Sequence, residues 1–225
     1  MNNRIKLIPG FLALIFSAAI IYGCTETKEL QKTNSKNESA GSLYNAASNT
    51  GQKNDLSLNE SKLEWTATKV TGKHSGTVEF VNGNIYMEDN TLTGGNFEID
   101  FKSIKVLDIK DAEMNAKLTG HLKSPDFFSA DEFPSGKFVL TSIKSISENN
   151  FEVKGNLTIK NITKEINFPV KINTEAKRIT ATADFNIDRT LWDVKYRSGK
   201  FYENLGDKLI SDDFNIKLNL VFRKS

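Results

Sequence analysis

Few side chains in this sequence have the type and spacing that chemistry requires. The 225 residues include two histidines, His74 in GKHSG and His121 in GHLKS, and one cysteine, Cys24. The histidines lack the four-residue spacing that lets two of them bind zinc from one helix. No G-x-S-x-G nucleophile elbow accompanies them. The sequence therefore predicts a protein that is not an enzyme and that holds no metal or cofactor.

The residues suited to contact the polar group of a ligand, as head-group candidates if that ligand is amphiphilic, are His74, Arg189 and Trp192. Arg189 stands in IDRTLWDVKY, which interrupts the alternation of polar and apolar residues. Its guanidinium could bind a phosphate or carboxylate, or it could pair with Asp188, Asp193 or a neighbouring strand and lock the rim of the fold. His74, between two glycines, is either a turn residue hydrogen-bonded to backbone or a head-group contact. Trp192 packs nearby under both interpretations.

The N-terminus has the pattern of a bacterial secretory signal. Two basic residues precede an apolar run over 7–22, and Gly23 precedes Cys24. Residues 21–24 resemble a lipobox, the motif at which lipoproteins are lipidated and cleaved. We therefore expect 1–23 to be a signal peptide and Cys24 to carry lipid. The alternative is a membrane anchor that is not cleaved, for which the run is short.

Composition divides the remaining chain into two parts. Residues 24–55 are rich in Lys, Asn, Ser, Thr and Glu, which predicts a flexible tether. Residues 56–225 are long enough for one domain with its own core. Without Arg4 and Lys6 of the signal, 28 of the 30 basic residues remain against 28 acidic ones. A chain so close to neutral is not expected to bind nucleic acid.

Period-two alternation dominates the domain and predicts antiparallel strands. NFEVKGNLTIK, EINFPVKI, RITATADFNID, DFNIKLNLVF and GNFEIDF each place apolar side chains on one face. Further strands are predicted at 62–70, 77–81, 84–88 and 137–145, with a tight hairpin at Asn82-Gly83. Only 112–122 has helical spacing, through Met114, Leu118 and either His121 or Leu122.

A sheet with one dry face must pack against a second sheet or close on itself. Small residues, Gly155, Ala181 and Ala183, share the dry face with phenylalanines. They could leave an apolar tunnel, or they could fit the taper of a filled core. The alternation alone favours neither alternative.

Five segments carry more specific motifs. They are VTGKHSGTV (70–78), LTGGNFEIDFKSI (92–104), LTGHLKSPDFFSADEFPSGKFVL (118–140), VKGNLTIKNITKEINFPV (153–170) and FNIDRTLWDVKY (185–196). In order and extent they resemble the YceI family. The resemblance implies an all-β, extended antiparallel eight-stranded lipocalin-like barrel with one short helix, which binds a long-chain isoprenoid or fatty lipid. One departure is Asp193, which follows Trp192 where the family usually carries glycine.

Strand parity, together with the turn-rich segment that holds Phe127 and Phe128, then selects the side chains that would line a lipid-binding interior. They are Phe97, Ile99, Phe127, Phe128, Phe151, Leu157, Phe168, Ala181, Phe185 and Leu218. Phe127 and Phe128 lie in a turn-rich segment, so they would either plug one end of the barrel or staple the helix to the sheet. A completely filled barrel acting as an interaction module remains the alternative function.

The expected location is the bacterial cell envelope, with a lipid anchor in the outer membrane and the barrel facing the periplasm. Thr25 after Cys24 is compatible with outer-membrane sorting by analogy with other lipoproteins. The oligomeric state is left open by the sequence, with a dimer as one possibility.

Overall fold

The computed structural model describes residues 44–224, which form ten strands and one α-helix. The predicted signal peptide, the predicted lipidation site Cys24 and the first part of the predicted tether lie outside the described residues. Among residues 44–224, no helix is long and apolar enough to cross a bilayer. The elements are β1 (Asn45–Ala46), β2 (Gln52–Leu56), β3 (Lys62–Lys69), β4 (Gly72–Glu88), β5 (Thr91–Val106), α1 (Ala112–Lys123), β6 (Ser135–Ser147), β7 (Asn150–Ile159), β8 (Ile162–Thr174), β9 (Arg178–Asp188) and β10 (Ile210–Arg223).

Eight of these strands form a closed barrel. Each strand from β3 to β10 pairs antiparallel with its neighbour in sequence, and β10 returns to pair with β3. β2 pairs with β10 and β4 beyond the start of β3, so β2 and β3 occupy one position in the wall. β1 adds a short pairing to β6. The predicted eight-stranded antiparallel barrel is confirmed.

The barrel has two different ends. At the helix end, residues 107–134, which contain α1, connect β5 to β6, and residues 189–209 connect β9 to β10. At the turn end, short connections join β4 to β5, β6 to β7 and β8 to β9. The helix end is therefore the end that the two long connections cover.

The wall is incomplete between β8 and β9. In the described part of the chain, these strands pair only where Lys171–Thr174 faces Ile179–Thr182. Toward the helix end, β8 continues on β7 alone and β9 continues on β10 alone. Pro169, which has no N–H to donate, stands where β8 leaves this ladder. The 3-10 turn Arg189–Trp192 directly follows β9 and packs against β8.

The last residues of the predicted tether are part of the folded structure. β2 begins at Gln52, and Asn54 and Leu56 are buried while Lys53 and Asp55 are exposed. Backbone pairing to β4 and β10 orders this polar segment, because it continues the position that β3 leaves vacant. Composition does not reveal such an ordering, since few apolar side chains take part in it.

The predicted hairpin at Asn82-Gly83 is also wrong, because β4 runs unbroken from Gly72 to Glu88. The register with β5 shifts between Phe80 and Asn82, which marks a bulge. Gly83 is required there by packing, since a Cβ would lie 2.6 Å from Cδ1 of Phe97. The tight turn is Asp89-Asn90, where both residues have positive φ, the signature of a type I′ hairpin.

The predicted helix is confirmed as α1. The side chain of Asp111 accepts a hydrogen bond from the backbone N–H of Met114 at 2.8 Å and so caps the first turn. Leu122 is buried and Leu118 packs against the core. Met114, which the predicted apolar stripe included, is 55% exposed.

Gly155 is an inward-facing glycine whose missing side chain leaves space for a neighbouring ring. A Cβ on Gly155 would lie 2.2 Å from Cζ of Phe138 and 2.7 Å from the carbonyl oxygen of Val139. The small residue therefore makes room for an aromatic ring of the neighbouring strand. At this position the glycine accommodates packing and does not itself open a tunnel.

Gly155→Ala is accordingly expected to destabilise the barrel by about 1–3 kcal/mol, since the Phe138 ring must shift in a packed wall. Gly120→Ala is the matched control, because no atom lies within 4 Å of the added Cβ and the position is helical. The control should raise stability by about 0.5–1 kcal/mol. Chemical denaturation measures both, and equal stabilisation by the two substitutions would contradict the packing account.

Candidate functional site: an apolar cavity inside the barrel

The barrel encloses a cavity of about 190 Å³ whose wall is almost entirely apolar. Side chains from all eight barrel strands contribute to it, and only Lys137 and Arg189 among the lining residues are charged. A single water occupies roughly 10–15 Å³ by this measure, and apolar cavities tend to stay dry. The interior is therefore neither completely filled nor suited to a polar solute.

Most of the side chains predicted to face the interior lie along this wall. Nine of the ten predicted interior residues line the cavity: Phe97, Ile99, Phe127, Phe128, Leu157, Phe168, Ala181, Phe185 and Leu218. Phe151 does not line it, although the side chain is buried in the core at 3% exposure. It stands near the start of β7 at the turn end, so the correct face placed it in the core but away from the cavity.

Sequence reasoning omitted several aromatic residues that also line the cavity. They are Trp65, Phe80, Phe101, Phe138, Phe214 and Phe222. All six lie on barrel strands, and Phe101, Phe214 and Phe222 belong to the apolar faces already recognised in the sequence. The same alternation could have found them.

Aromatic rings pack against each other along the cavity wall. Phe168 stacks on Phe185 with centroids 4.1 Å apart and planes at 8°, and Phe138 lies 5.6 Å from Phe168. Phe97 contacts Phe222 edge-on at 6.1 Å. These contacts fix the rings in place, so the wall offers a preformed apolar surface.

Phe127 and Phe128 connect the helix end to the barrel. The sequence left open whether they plug this end of the barrel or staple the helix to the sheet, and their contacts fit both roles. Phe127 lies 5.0 Å from the His121 ring of α1 and 5.4 Å from Tyr196 of the second long connection. Phe128 stacks on Phe101 of β5 at 4.8 Å. Both also line the cavity. The pair therefore staples the connections together and forms the inner surface of this closure.

Arg189 is the polar group at the same end of the cavity. It is 4% exposed, and its Nε, Nη1 and Nη2 donate to the carbonyl oxygens of Ser211, Val194 and Ile210 at 3.0, 2.7 and 3.2 Å. Asp212 lies 3.7 Å away as its ion-pair partner. Burial lowers the pKa of Arg189, and the neighbouring carboxylates oppose that shift. The guanidinium thus ties the second connection to the start of β10.

Asp188, the last residue of β9, also holds the connection formed by residues 189–209. It accepts hydrogen bonds from Nζ of Lys200 at 2.5 Å and from Oγ1 and N of Thr190 at 2.6 and 2.9 Å. Burial alone would raise the pKa of Asp188, but these hydrogen bonds outweigh it and hold the pKa below its ordinary value. The carboxylate form is therefore the one that the fold stabilises.

The other two head-group candidates do not reach the cavity. Nδ1 of His74 lies 2.8 Å from Oδ2 of Asp108, and Oδ1 of Asp108 accepts from the Ser75 N–H. His74 is thus held by a side chain and not by backbone. Trp192 is fully buried, and its Nε1–H donates to the carbonyl oxygen of Leu157 at 3.0 Å.

The departure at residue 193 has a conformational explanation. Asp193 has φ 60° and ψ 27°, in the left-handed region where glycine is the usual residue. Aspartate is one of the few other residues that tolerate it. Its side chain pairs with Nζ of Lys195 at 2.6 Å, so this chain keeps the turn without the glycine.

No cluster of three or more His, Cys, Asp or Glu side chains that could hold a metal ion occurs among residues 44–224. The wall also carries no carboxylate or imidazole among its lining residues. The geometry of this wall can therefore enclose an apolar molecule.

A closed barrel around an apolar cavity defines a lipocalin-like β-barrel protein. Residues 55–222 match the YceI-like domain family. The chain therefore belongs to that family, as its five motifs predicted.

Individual relatives agree with this assignment. A UPF0312 protein of Pseudomonas putida strain W619 is 32% identical over 90 residues, which make up 39% of this chain and 46% of that protein. The match thus spans about half of the relative's length. BcnA of Burkholderia cenocepacia has a TM-score of 0.62 at 21% identity, covering 74% of this chain and 99% of that one.

A second solved structure is a polyisoprenoid binding domain from Saccharophagus degradans implicated in plant cell wall breakdown. Its TM-score is 0.59 at 12% identity, with 76% of this chain and 98% of that chain covered. At these identities both structures show the fold alone.

The Asp188 contacts predict how stability depends on pH. Because the folded-state pKa is lower than the unfolded value of about 3.9, the stabilisation is present above that value and is lost as the pH falls through the folded-state pKa. Asp188→Asn should be less stable than wild type at neutral pH and should lose stability less steeply on acidification.

Lys200→Met removes the same contact from its other partner and should flatten the acid limb in the same direction. Urea denaturation at a series of pH values measures the slope. An unchanged acid limb in both variants would show that other carboxylates control the acid response.

Proposed function

We propose that this protein binds and carries a long-chain amphiphilic lipid, with an isoprenoid as the expected ligand, in the interior of the barrel. The apolar cavity carries this proposal. At about 0.8 kcal/mol per buried methylene, a twenty-carbon tail would gain roughly 15 kcal/mol before the costs of association. The polyisoprenoid binding described for the Saccharophagus degradans domain supports the ligand class.

Arg189 is the proposed contact for the polar head. It is the one of the three head-group candidates that lines the cavity. Its three hydrogen bonds to carbonyl oxygens use three of the five N–H groups of a guanidinium. The remaining N–H groups can serve a phosphate, carboxylate or carbonyl oxygen at the helix end, with the tail extending toward the turn end.

Binding without turnover is the proposed mode of action. Acid–base catalysis needs a side chain that can exchange a proton next to the substrate. Of the two charged residues along the wall, Lys137 is exposed and pairs with Glu98, and Arg189 keeps its proton, so neither offers that step. Capture and release of the lipid then depend on burial and on opening of the barrel.

The test is lipid uptake by the purified full chain, followed by native mass spectrometry and organic extraction. The probe is geranylgeraniol, an isoprenoid alcohol, with stearate as the straight-chain comparison. Ala67→Phe places a ring on the cavity wall and should reduce uptake about tenfold or more, because it fills space that the tail would occupy. Val139→Phe adds the same ring to an exposed position and should bind like wild type.

The outcomes separate the candidate functions. No uptake by wild type, together with a bare mass after purification, would refute lipid binding and favour the interaction-module alternative. Equal uptake by wild type and Ala67→Phe would place the lipid outside the cavity. Thermal unfolding of each variant checks that a loss of uptake does not come from loss of the fold.

We further propose that the protein is a lipoprotein of the bacterial outer membrane whose barrel faces the periplasm. The lipobox pattern at residues 21–24 supports this proposal. Radiolabelled palmitate should be incorporated into the wild-type chain and not into Cys24→Ser. Incorporation into both would show that Cys24 is not the acylated residue, and incorporation into neither would refute the anchor.

A further inference from the structure

A short segment before β2 completes the barrel wall at the turn end. Residues 44–50, which include β1, form this segment, and we call them the strap. The N–H of Ala47 donates to the carbonyl oxygen of Thr141 on β6 at 2.9 Å. The N–H of Ser48 donates to the carbonyl oxygen of Thr93 on β5, also at 2.9 Å. The strap therefore bonds to two neighbouring strands of the barrel.

These two strands do not pair with each other where the strap lies. Within the described part of the chain, residues 96–100 of β5 face residues 135–139 of β6, and the ladder between them ends there. Farther toward the turn end, residues 91–95 of β5 form a ladder with β4 alone, and β6 pairs with β7 and with β1 of the strap. The strap thus fills a gap between β5 and β6.

Two further features fit the strap to β5. A Cβ on Gly94 would lie 1.9 Å from Oδ1 of Asn49, so the glycine permits the strap to lie against this strand. Oγ1 of Thr93 donates to the carbonyl oxygen of Thr50 at 2.6 Å. The seat of the strap is therefore built into the wall.

The strap is held more weakly than the barrel strands. Its ladder to β6 contains two residue pairs. Ala47 is half-buried and packs against the core, whereas residues 48–50 are exposed. Nζ of Lys154 lies 4.4 Å from the centre of the Tyr44 ring. A segment with so little burial opens at a lower free energy than the strands around it, so the strap can detach while the barrel stays folded.

The cavity reaches the wall beneath the strap. Leu92 of β5 and Leu140 of β6 line the cavity and are buried at 4% and 7% exposure. Each stands next in sequence to a residue that accepts a hydrogen bond from the strap, Thr93 and Thr141. Detachment of the strap would therefore open the turn-end part of the cavity between β5 and β6.

We propose that the strap limits the length of the lipid tail that the barrel accepts. This inference rests on the lipid binding proposed above, in which the polar head lies at the helix end and the tail extends toward the turn end. A tail that ends beside Leu92 and Leu140 fits with the strap in place. A longer tail has to displace the strap and leave the barrel between β5 and β6.

A disulfide that holds the strap in place tests this limit. Ala46→Cys and Ser142→Cys are introduced together, because these residues face each other across β1 and β6. The full chain carries Cys24→Ser so that no other thiol competes. Thr182→Cys with Asn219→Cys is the matched control, since these exposed residues face each other on β9 and β10, which are already paired. The probes are farnesol and the much longer solanesol, each presented in phosphatidylcholine vesicles, and native mass spectrometry measures uptake.

The oxidised strap disulfide should leave farnesol uptake unchanged. It should reduce solanesol uptake about tenfold or more, because a long tail confined to the closed interior overpacks it. Reduction of the disulfide should restore solanesol uptake, and the control disulfide should change neither. Equal solanesol uptake by the oxidised and reduced strap variants would overturn the proposal, as would uptake of farnesol alone by every variant. Uptake of neither alcohol by the wild-type chain would refute the lipid binding itself and the length limit with it.

Thiol labelling tests the opening of the wall without any lipid. Leu140→Cys, in the full chain with Cys24→Ser, places a single thiol on the cavity wall beneath the strap. Ser48→Pro removes the N–H that donates to Thr93, whereas Ser48→Ala retains it. Ser48→Pro should raise the rate at which a maleimide labels this thiol about fivefold, the effect of one lost hydrogen bond on the opening equilibrium. Ser48→Ala should leave the rate unchanged.

A second thiol position shows whether the opening is local. Leu63→Cys also lies on the cavity wall, but β3 is paired on both sides, with β4 and with β10. Its labelling rate should not respond to Ser48→Pro. Equal acceleration at both thiols would indicate loosening of the whole barrel, and acceleration at neither would show that the strap does not close the cavity. Either result would overturn the proposal.

Discussion

Closure of the backbone ladder is the constraint on which the structure depends. An eight-stranded sheet with one apolar face has two open edges unless its first and last strands pair, and β10 meets β3 to provide that pairing. Closure brings every apolar face to the same interior, and eight strands give an interior only wide enough for side chains or one slender molecule. The aromatic rings narrow this space without filling it. Cavity size is therefore a consequence of strand number combined with ring placement.

The helix end shows how a buried charge can serve a mainly apolar protein. Arg189 has three carbonyl acceptors and a carboxylate neighbour, so the cost of burying its charge is offset by directed hydrogen bonds. Asp188, in turn, is held by Lys200 and Thr190. These contacts fix the connection that covers the cavity. The same residues thus give the closure a defined geometry and leave a polar group next to an apolar space.

Alternation predicted the strands and part of the cavity wall, because it determines which face of a strand is dry, whereas the closed barrel came from the resemblance to the YceI family. Alternation could not show where a strand ends. Asn82-Gly83 has the composition of a hairpin, but Gly83 is needed for the close approach of Phe97, and the turn forms at Asp89-Asn90. β2 is ordered by pairing and not by apolar content. Phe151 lies on the predicted face, yet parity carries no information about depth along the barrel. Of the residues proposed to hold a polar group, only Arg189 lines the cavity, and the partners of His74 and Trp192 come from distant segments that alternation does not reveal.

The incomplete ladder between β8 and β9 makes this seam easier to open than the fully paired seams of the wall. On the helix side of this seam no backbone ladder joins β8 to β9, so opening must break only the packing of the turn after β9 and its hydrogen bonds, such as the one from Trp192 to Leu157. Local opening therefore requires less free energy here than at any fully paired seam. A flexible chain molecule could enter laterally between β8 and β9 without unfolding the barrel or displacing α1. Pro169 and the short pairing between β8 and β9 thus determine where the helix side of the barrel wall can open.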